Sequence, residues 1–171
     1  RQLVANVVDI DSATRMFSIL GKPGDLPIAA FWDFAAAFPS ILHCWIHAVF
    51  KAYKFPSGFR NLLFTLYAMN DSVTNLLGTQ AMLYYTLCGV LQGCPLSGLV
   101  FAVCFNPFLV LFSSLQNMSP DKMIIRVCAD DVGAALSNIQ MLKYIEPVFK
   151  LAQSFAGLTL QASKCVLIHL W

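Results

Sequence analysis

At 171 residues the chain is long enough for one domain with a sizeable core. Hydrophobic residues make up 58% and charged residues only 12%, about half the usual charged share. The formal charge of +2 excludes a strongly basic, phosphate-seeking surface overall and leaves any contact with nucleic acid to local placement. Cysteines at 44, 88, 94, 104, 128 and 165 show no short zinc-type spacing and are too sparse for a disulfide scaffold. Reduced thiols in an intracellular protein are expected. Both ends, Arg1 and Trp171, read as cuts within a longer protein.

In chain order, residues 3–19 place Leu3, Val7, Ile10 and Phe17 on one broad side at helical spacing and predict a helix. The Gly- and Pro-rich stretch 21–27 breaks it, and the short apolar run 28–32 predicts a buried strand leading into Asp33. Pro39-Ser40 opens a predicted helix to about Lys51, and Pro56 opens another to about Met69. Residues 72–77 and 81–87 predict a hairpin around Gly78-Thr79-Gln80. A helix starts at Pro95 and should kink at Pro107. Residues 123–129 and 132–136 predict two strands folded back around Asp130-Asp131. Ser137 with Gln140 has the form of a capping box for a helix ending near Gly157 and bent at Pro147. Residues 164–170 predict the last strand. The order is α+β: a single domain with an antiparallel sheet and helices packed on one face, in the manner of the split βαβ family.

From Ser72 to Pro120, 49 residues pass without a charge or a histidine, and mean hydropathy is +0.67. The most apolar part, residues 98–112, is shorter than the roughly 20 residues of a spanning helix and is interrupted by Asn106-Pro107. A buried core element is the expected outcome, and no membrane partner.

Three of the nine acids sit where acids are costly. Asp33 lies within the apolar run 29–38, and Asp130 and Asp131 lie between the apolar runs 124–129 and 132–136. Asp is also a common turn residue, so each taken alone is equally compatible with a capped turn or a solvated hairpin tip. A bound cation would relieve the repulsion. Oxygen ligands without a His or Cys cluster favour Mg²⁺, with Mn²⁺ as the alternative. His43 and His47, four apart, lack a third ligand and are read as packing or surface residues.

A second block, Gly89-Val-Leu-Gln-Gly-Cys-Pro-Leu-Ser-Gly98, has glycines for close backbone approach and Gln92 as both donor and acceptor. With it the ordered set resembles the reverse transcriptases of non-LTR (LINE-type) retrotransposons. Residues 31–40, Phe-Trp-Asp-Phe-Ala-Ala-Ala-Phe-Pro-Ser, resemble motif A; 89–97 resemble motif B in its non-LTR form; Cys128-Ala-Asp-Asp131 resembles motif C; and 156–165 resemble motif D. Residues 1–9 resemble the helix before motif A. The matched regions are 1–20, 28–40, 89–114, 123–136 and 137–170, a polymerase palm with partial fingers and no thumb.

The resemblance implies an RNA-directed DNA polymerase that extends a DNA primer on an RNA template with deoxynucleoside triphosphates, within the cell and in the nucleus. It implies two Mg²⁺ ions held by Asp33, Asp130 and the Phe34 carbonyl, with Asp131 in a supporting role. It further implies amides around Ala36 and Ala37 cradling the triphosphate, Phe38 as the steric gate, Gln92 and Gly93 lining the nucleotide pocket, and Lys164 as general acid for pyrophosphate. Three positions depart from the family: Cys128 where motif C opens with Tyr, Leu91 where Arg is common, and Gln161 where motif D often has Asn.

Overall fold

The computed structural model describes residues 2–22, 24–67, 70–76 and 78–170. In chain order come α1 (Gln2–Leu20), β1 (Ile28–Trp32), α2 (Ala37–Ser40), α3 (His43–Ala52), α4 (Ser57–Tyr67), β2 (Asn70–Leu76) and β3 (Thr79–Thr86). They are followed by α5 (Ser97–Met118), β4 (Met123–Cys128), β5 (Asp131–Leu136), α6 (Leu142–Leu151) and β6 (Val166–His169). Met69 and Leu77, expected ends of a helix and a strand, lie outside the described residues. The chain forms two compact units: residues 1–35, 106–154 and 158–171 in the first, and residues 36–105 with 155–157 in the second.

The first unit is built on a sheet of order β4-β5-β1-β6, every neighbouring pair antiparallel. Its centre is lined by Ala29, Ala30, Ala134 and Ala135, all buried, and such small side chains let helices come close. On one face the Phe149 ring of α6 meets Trp32 at 5.1 Å, Phe34 at 5.9 Å and Phe112 of α5 at 5.4 Å. The antiparallel sheet with helices packed on it is borne out, but not their restriction to one face. Across the other face α1 adds cover, setting Ala13 and Phe17 against Ala135 and Ile124.

The outer strand β4 does not leave its edge groups bare, as an edge strand otherwise would. Gln116 Oε1 accepts the Ile125 amide at 2.9 Å, and Asn6 Nδ2 donates to the Val127 carbonyl at 3.1 Å. Arg126 pairs with Asp9 of α1 at 2.9 Å and donates to Gln116 Oε1 at 3.1 Å.

Several sequence expectations shift within this unit. Cys128 pairs with Asp131, so the hairpin turns at Ala129-Asp130 rather than at Asp130-Asp131, and Ala129 takes a positive φ of 55°. The cap ahead of α6 is Asn138, whose side chain accepts the Gln140 amide at 2.8 Å, and not Ser137. The last strand begins at Val166; Lys164 closes a short 3₁₀ turn, Ala162–Lys164, before it.

In the second unit the single helix expected from Pro39 to Lys51 is split. Ile41 and Leu42 are extended, with ψ of 126° and 133°. Their neighbourhood explains why: Leu42 bridges Cys88, its amide donates to the Ala156 carbonyl at 2.9 Å, and the His43 amide donates to Leu87 at 3.1 Å. Strand-like partners from elsewhere in the chain outcompete the local helical preference here. In the β2–β3 hairpin Leu76 pairs with Thr79, so Thr79 and Gln80 belong to the strand and not to the turn.

Helix α5 runs through Asn106-Pro107 for 22 residues, which corrects the expectation of a short, interrupted segment. Among the described residues it is one helix long and apolar enough to cross a membrane by length and composition. Its buried positions, Ser97, Val100, Phe101, Cys104, Phe105, Phe108 and Phe112, recur at three- and four-residue spacing. That stripe is the pattern of a helix built into a protein core. Burial pushes the Cys104 thiol up to about 12, which leaves it inert as a nucleophile.

Candidate active site

The first unit brings its acids together through strand register. β1 ends with Trp32 paired to Val132. One residue further along that register, Asp33 comes opposite Asp131, the first residue of β5. Side chains alternate across a strand, so Asp33 shares the face of Phe31, and Asp131 shares that of Gly133. Just beyond Asp33 a bridge between Phe34 and Leu160 fixes the chain. There the Gln161 amide donates to the Asp33 carbonyl at 2.9 Å, and the Ala35 amide donates to Thr159 at 2.8 Å. Phe34 is buried under Phe149.

The charges on this rim are coupled. Lys164 Nζ lies 3.0 Å from Asp33 Oδ2, with the Asp33 side chain 28% exposed. Partial burial, and then the neighbouring Asp130 and Asp33 carboxylates, hold the Asp131 carboxyl above the usual range, while Lys164 pulls it back. Asp33, Asp130, Asp131 and Lys164 thus form one electrostatic neighbourhood. Asp33, Asp131 and Lys164 open onto a cleft of ≈ 940 Å³, whose other walls include Phe31, Cys128 and Ile10.

Three neighbouring carboxylates, two of which raise the proton affinity of Asp131, are oxygen donors of the kind a hard divalent cation takes. Among the described residues, however, no three His, Cys, Asp or Glu side chains are arranged to hold an ion as they stand. The Lys164 ammonium stands beside Asp33 as its countercharge. The donor chemistry fits Mg²⁺; the present side-chain spacing does not enclose it.

The remaining predicted residues belong to the second unit. Ala36 is left-handed (φ 49°, ψ 55°) and turns the chain into α2, where Ala37 is buried. Phe38 is half-buried and stacks on Phe101, ring centroids 4.3 Å apart and planes 17° from parallel. Gln92 and Gly93 lie exposed in the loop between β3 and α5, with Gly93 at φ 81°. The Val90 amide of that loop donates to the Phe38 carbonyl at 3.0 Å.

Sequence reasoning missed two sets of residues. The first is the polar set around β4: Asn6, Asp9, Gln116 and Arg126. Its one signal was an arginine in the middle of an apolar strand. The second is His43, which is buried and whose Nε2 lies 2.8 Å from the Gly89 carbonyl. Both His43 and His47 are read from sequence as packing or surface residues, and the ring of Phe64 lies 5.2 Å from that of His47. Burial and the neighbouring His43 lower its pKa.

Antiparallel strands carrying acids at adjacent ends, with helices on the sheet, define the fold of a polymerase palm. Solved structures share it. The apo telomerase from Candida tropicalis superimposes with a TM-score of 0.72 at 12% identity, over 99% of this chain and 32% of that chain. Telomerase from Candida tropicalis in complex with the TWJ fragment of telomeric RNA gives 0.70 at 14%, over 95% and 29%. At such identities the likeness is one of fold. The family model for reverse transcriptase (RNA-dependent DNA polymerase) matches residues 8–170, and the chain belongs to that family. The Transposon TX1 uncharacterized 149 kDa protein of Xenopus laevis is 30% identical over 130 residues, or 71% of this chain. The chain spans 10% of that relative's length. A transposon relative agrees with the non-LTR reading of the motifs.

Proposed function

We propose that this chain is the catalytic part of a non-LTR retrotransposon polymerase that adds deoxynucleotides to a DNA primer on an RNA template, inside the cell and in its nucleus. The observation that carries the reading is the rim itself: Asp33 in register with Asp131, beside Asp130, with Lys164 at 3.0 Å from Asp33. Nothing in a solvated turn would draw acids together at such cost.

In this reading Asp33, Asp130 and the Phe34 carbonyl would hold two Mg²⁺ ions, with Asp131 in support. Bound there, the ions would supply positive charge against the triphosphate and the primer hydroxyl, whose proton would leave to solvent. The new bond joins the primer 3′-oxygen to the α-phosphorus, and the bond to pyrophosphate breaks. Lys164 gives its proton to the departing pyrophosphate. Ala36 makes a left-handed turn, and in this reading the amides there and at Ala37 face the phosphates, with no bulky side chain on either residue. Phe38 occupies the space a ribose 2′-hydroxyl needs, and Gln92 and Gly93 face the incoming base and its template partner.

Cys128, lining the cleft where the family carries Tyr, favours a second reading, a palm retained as a nucleic-acid-binding module without catalysis. One experiment separates the two: primer extension by the full chain that carries this segment, with and without Asp33→Asn or Asp130→Asn. The amide keeps the shape and forfeits the charge, so extension is expected to fall below detection. Activity of either variant within about tenfold of the parent would sink the two-metal assignment, and an inactive parent would favour the module.

A further inference from the structure

We infer that His43 is a positioning residue for nucleotide selection. Through the Gly89 carbonyl it fixes the loop that carries Gln92 against the segment that carries Phe38. This rests on the reading above, in which those two residues choose the nucleotide.

The chain from Phe38 to His43 in the second unit runs from α2 through the extended Ile41 and Leu42 into α3. On one side its partners are Leu87 to Val90. The Val90 amide donates to Phe38 at 3.0 Å, the Gly89 amide donates to Ile41 at 2.7 Å, and the His43 amide donates to Leu87 at 3.1 Å. On the other side the Leu42 amide donates to Ala156 at 2.9 Å. Both flanks touch backbone to backbone. A Cβ on Gly89 would come 2.8 Å from the Pro39 carbonyl oxygen, and one on Gly157 would come 2.7 Å from that of Ser40. The segment is clasped with no room for side chains between.

Gly89 has φ +90°, which turns its peptide out of the regular ladder. Its carbonyl is met by a side chain, His43 Nε2, at 2.8 Å. A carbonyl can only accept, so Nε2 carries the hydrogen. The ring is buried and lies 5.2 Å from that of Tyr67, which leaves it little freedom to swing away. Two residues on, Ser97 Oγ donates to the Leu91 carbonyl at 2.5 Å. Side chains thus hold the loop at two of the three carbonyls just before Gln92, those of Gly89 and Leu91. The same loop is bonded at Val90 to Phe38, whose ring stacks on Phe101 of α5. Base pocket and sugar gate therefore share one anchor, and His43 is the side chain at its centre.

The test uses the full polymerase chain and steady-state kinetics with a deoxynucleotide and the matching ribonucleotide. His43→Phe keeps an aromatic ring and deletes the donor, whereas His43→Gln keeps an N–H. We expect His43→Phe to lower the deoxy-over-ribo ratio of kcat/KM by about fivefold, the scale of one lost hydrogen bond. It should raise the deoxynucleotide KM by more than it lowers kcat. His43→Gln should stay within about twofold of the parent on both measures. In a Phe38→Val background the effect on the ratio should vanish, because the gate it acts through is gone. Should His43→Phe fold poorly, Ser97→Ala frees the other end of the loop and is expected to move the ratio the same way. An unchanged ratio and KM, equal damage from His43→Gln and His43→Phe, or an undiminished effect in the Phe38→Val background would each overturn the inference. A parent chain insensitive to Asp33→Asn would instead overturn the polymerase reading, and this inference with it.

Discussion

The two units hold their candidate site residues by different means. In the first, the acids are placed by strand register: β1 and β5 pair up to Trp32 with Val132, and the next position of that register carries Asp33 toward Asp131. Many equivalent backbone bonds share that task, and no single side chain decides it. In the second unit Phe38 and the Gln92 loop are held by irregular contacts, namely a buried histidine, a serine hydroxyl and two glycines pressed against backbone. Register is robust to substitution, whereas a clasp of single contacts is not. Mutations should therefore be absorbed in the first unit and felt in the second.

Glycines give the sharpest comparison. Gly89→Ala and Gly157→Ala each place a methyl within 2.8 Å of a backbone oxygen at positive φ. Strain and overlap together should cost about 2–4 kcal/mol, read as a loss of stability in chemical denaturation. In the first unit Gly133→Ala meets side chains and no backbone: the tip of Ile10 at 2.8 Å, which can swing aside, and the Phe31 ring at 3.3 Å. Its expected cost is about 1 kcal/mol. Gly93→Ala, with positive φ but no atom within 4 Å, should likewise cost only about 1 kcal/mol. Equal costs at all four positions would erase the distinction between the units.

A middle-sized effect probes the one place where the first unit also relies on a side chain. Gln116→Ala strips the Ile125 amide and Arg126 of a shared oxygen at the outer edge of β4. The expected loss is about 1–2 kcal/mol, with faster hydrogen exchange at Ile125 than at residues of β1. Exchange that rises equally in β1 would mean that the edge bond supports the whole sheet rather than its rim.

The same contrast explains what was legible beforehand. The strand 28–32 was predicted at its observed bounds because a short apolar run between breakers leaves little choice. The acids were legible because charge in an apolar run is costly and therefore conspicuous. Pro39 misled, since proline favours a helix start but says nothing of the remote Leu87 and Ala156 carbonyls, whose bonds to His43 and Leu42 hold Ile41 and Leu42 extended. Pro107 lies inside α5 without ending it. It removes the amide that the Val103 carbonyl would ordinarily accept, yet α5 continues, with Trp45 Nε1 donating to the adjacent Cys104 carbonyl at 2.9 Å. His43 was invisible as an anchor because its partner is a backbone carbonyl 46 positions away, and no spacing rule reaches that far.

The smallest expected effect lies at the rim itself and carries a sign. Asp131 has its carboxyl raised by partial burial and by Asp130 and Asp33, against the pull of Lys164. The folded chain therefore binds this proton more tightly than the unfolded chain does. Stability from this group is full below the ordinary aspartate pKa of about 3.9 and is lost as pH rises through the raised value. Asp131→Asn removes the charge, so in metal-free buffer the variant should be the more stable at neutral pH. The gap should close as pH falls below the carboxylate range. Its size should be about 0.2–1 kcal/mol, toward the lower end because Asp131 is exposed and water screens it. Added salt should shrink it further. Denaturation of both proteins across pH reads this directly. A variant less stable than the parent at neutral pH would mean that the carboxylate is held by attraction to Lys164 more than it is repelled by its neighbours. The rim would then be a neutralised cluster with no excess negative charge to offer a cation.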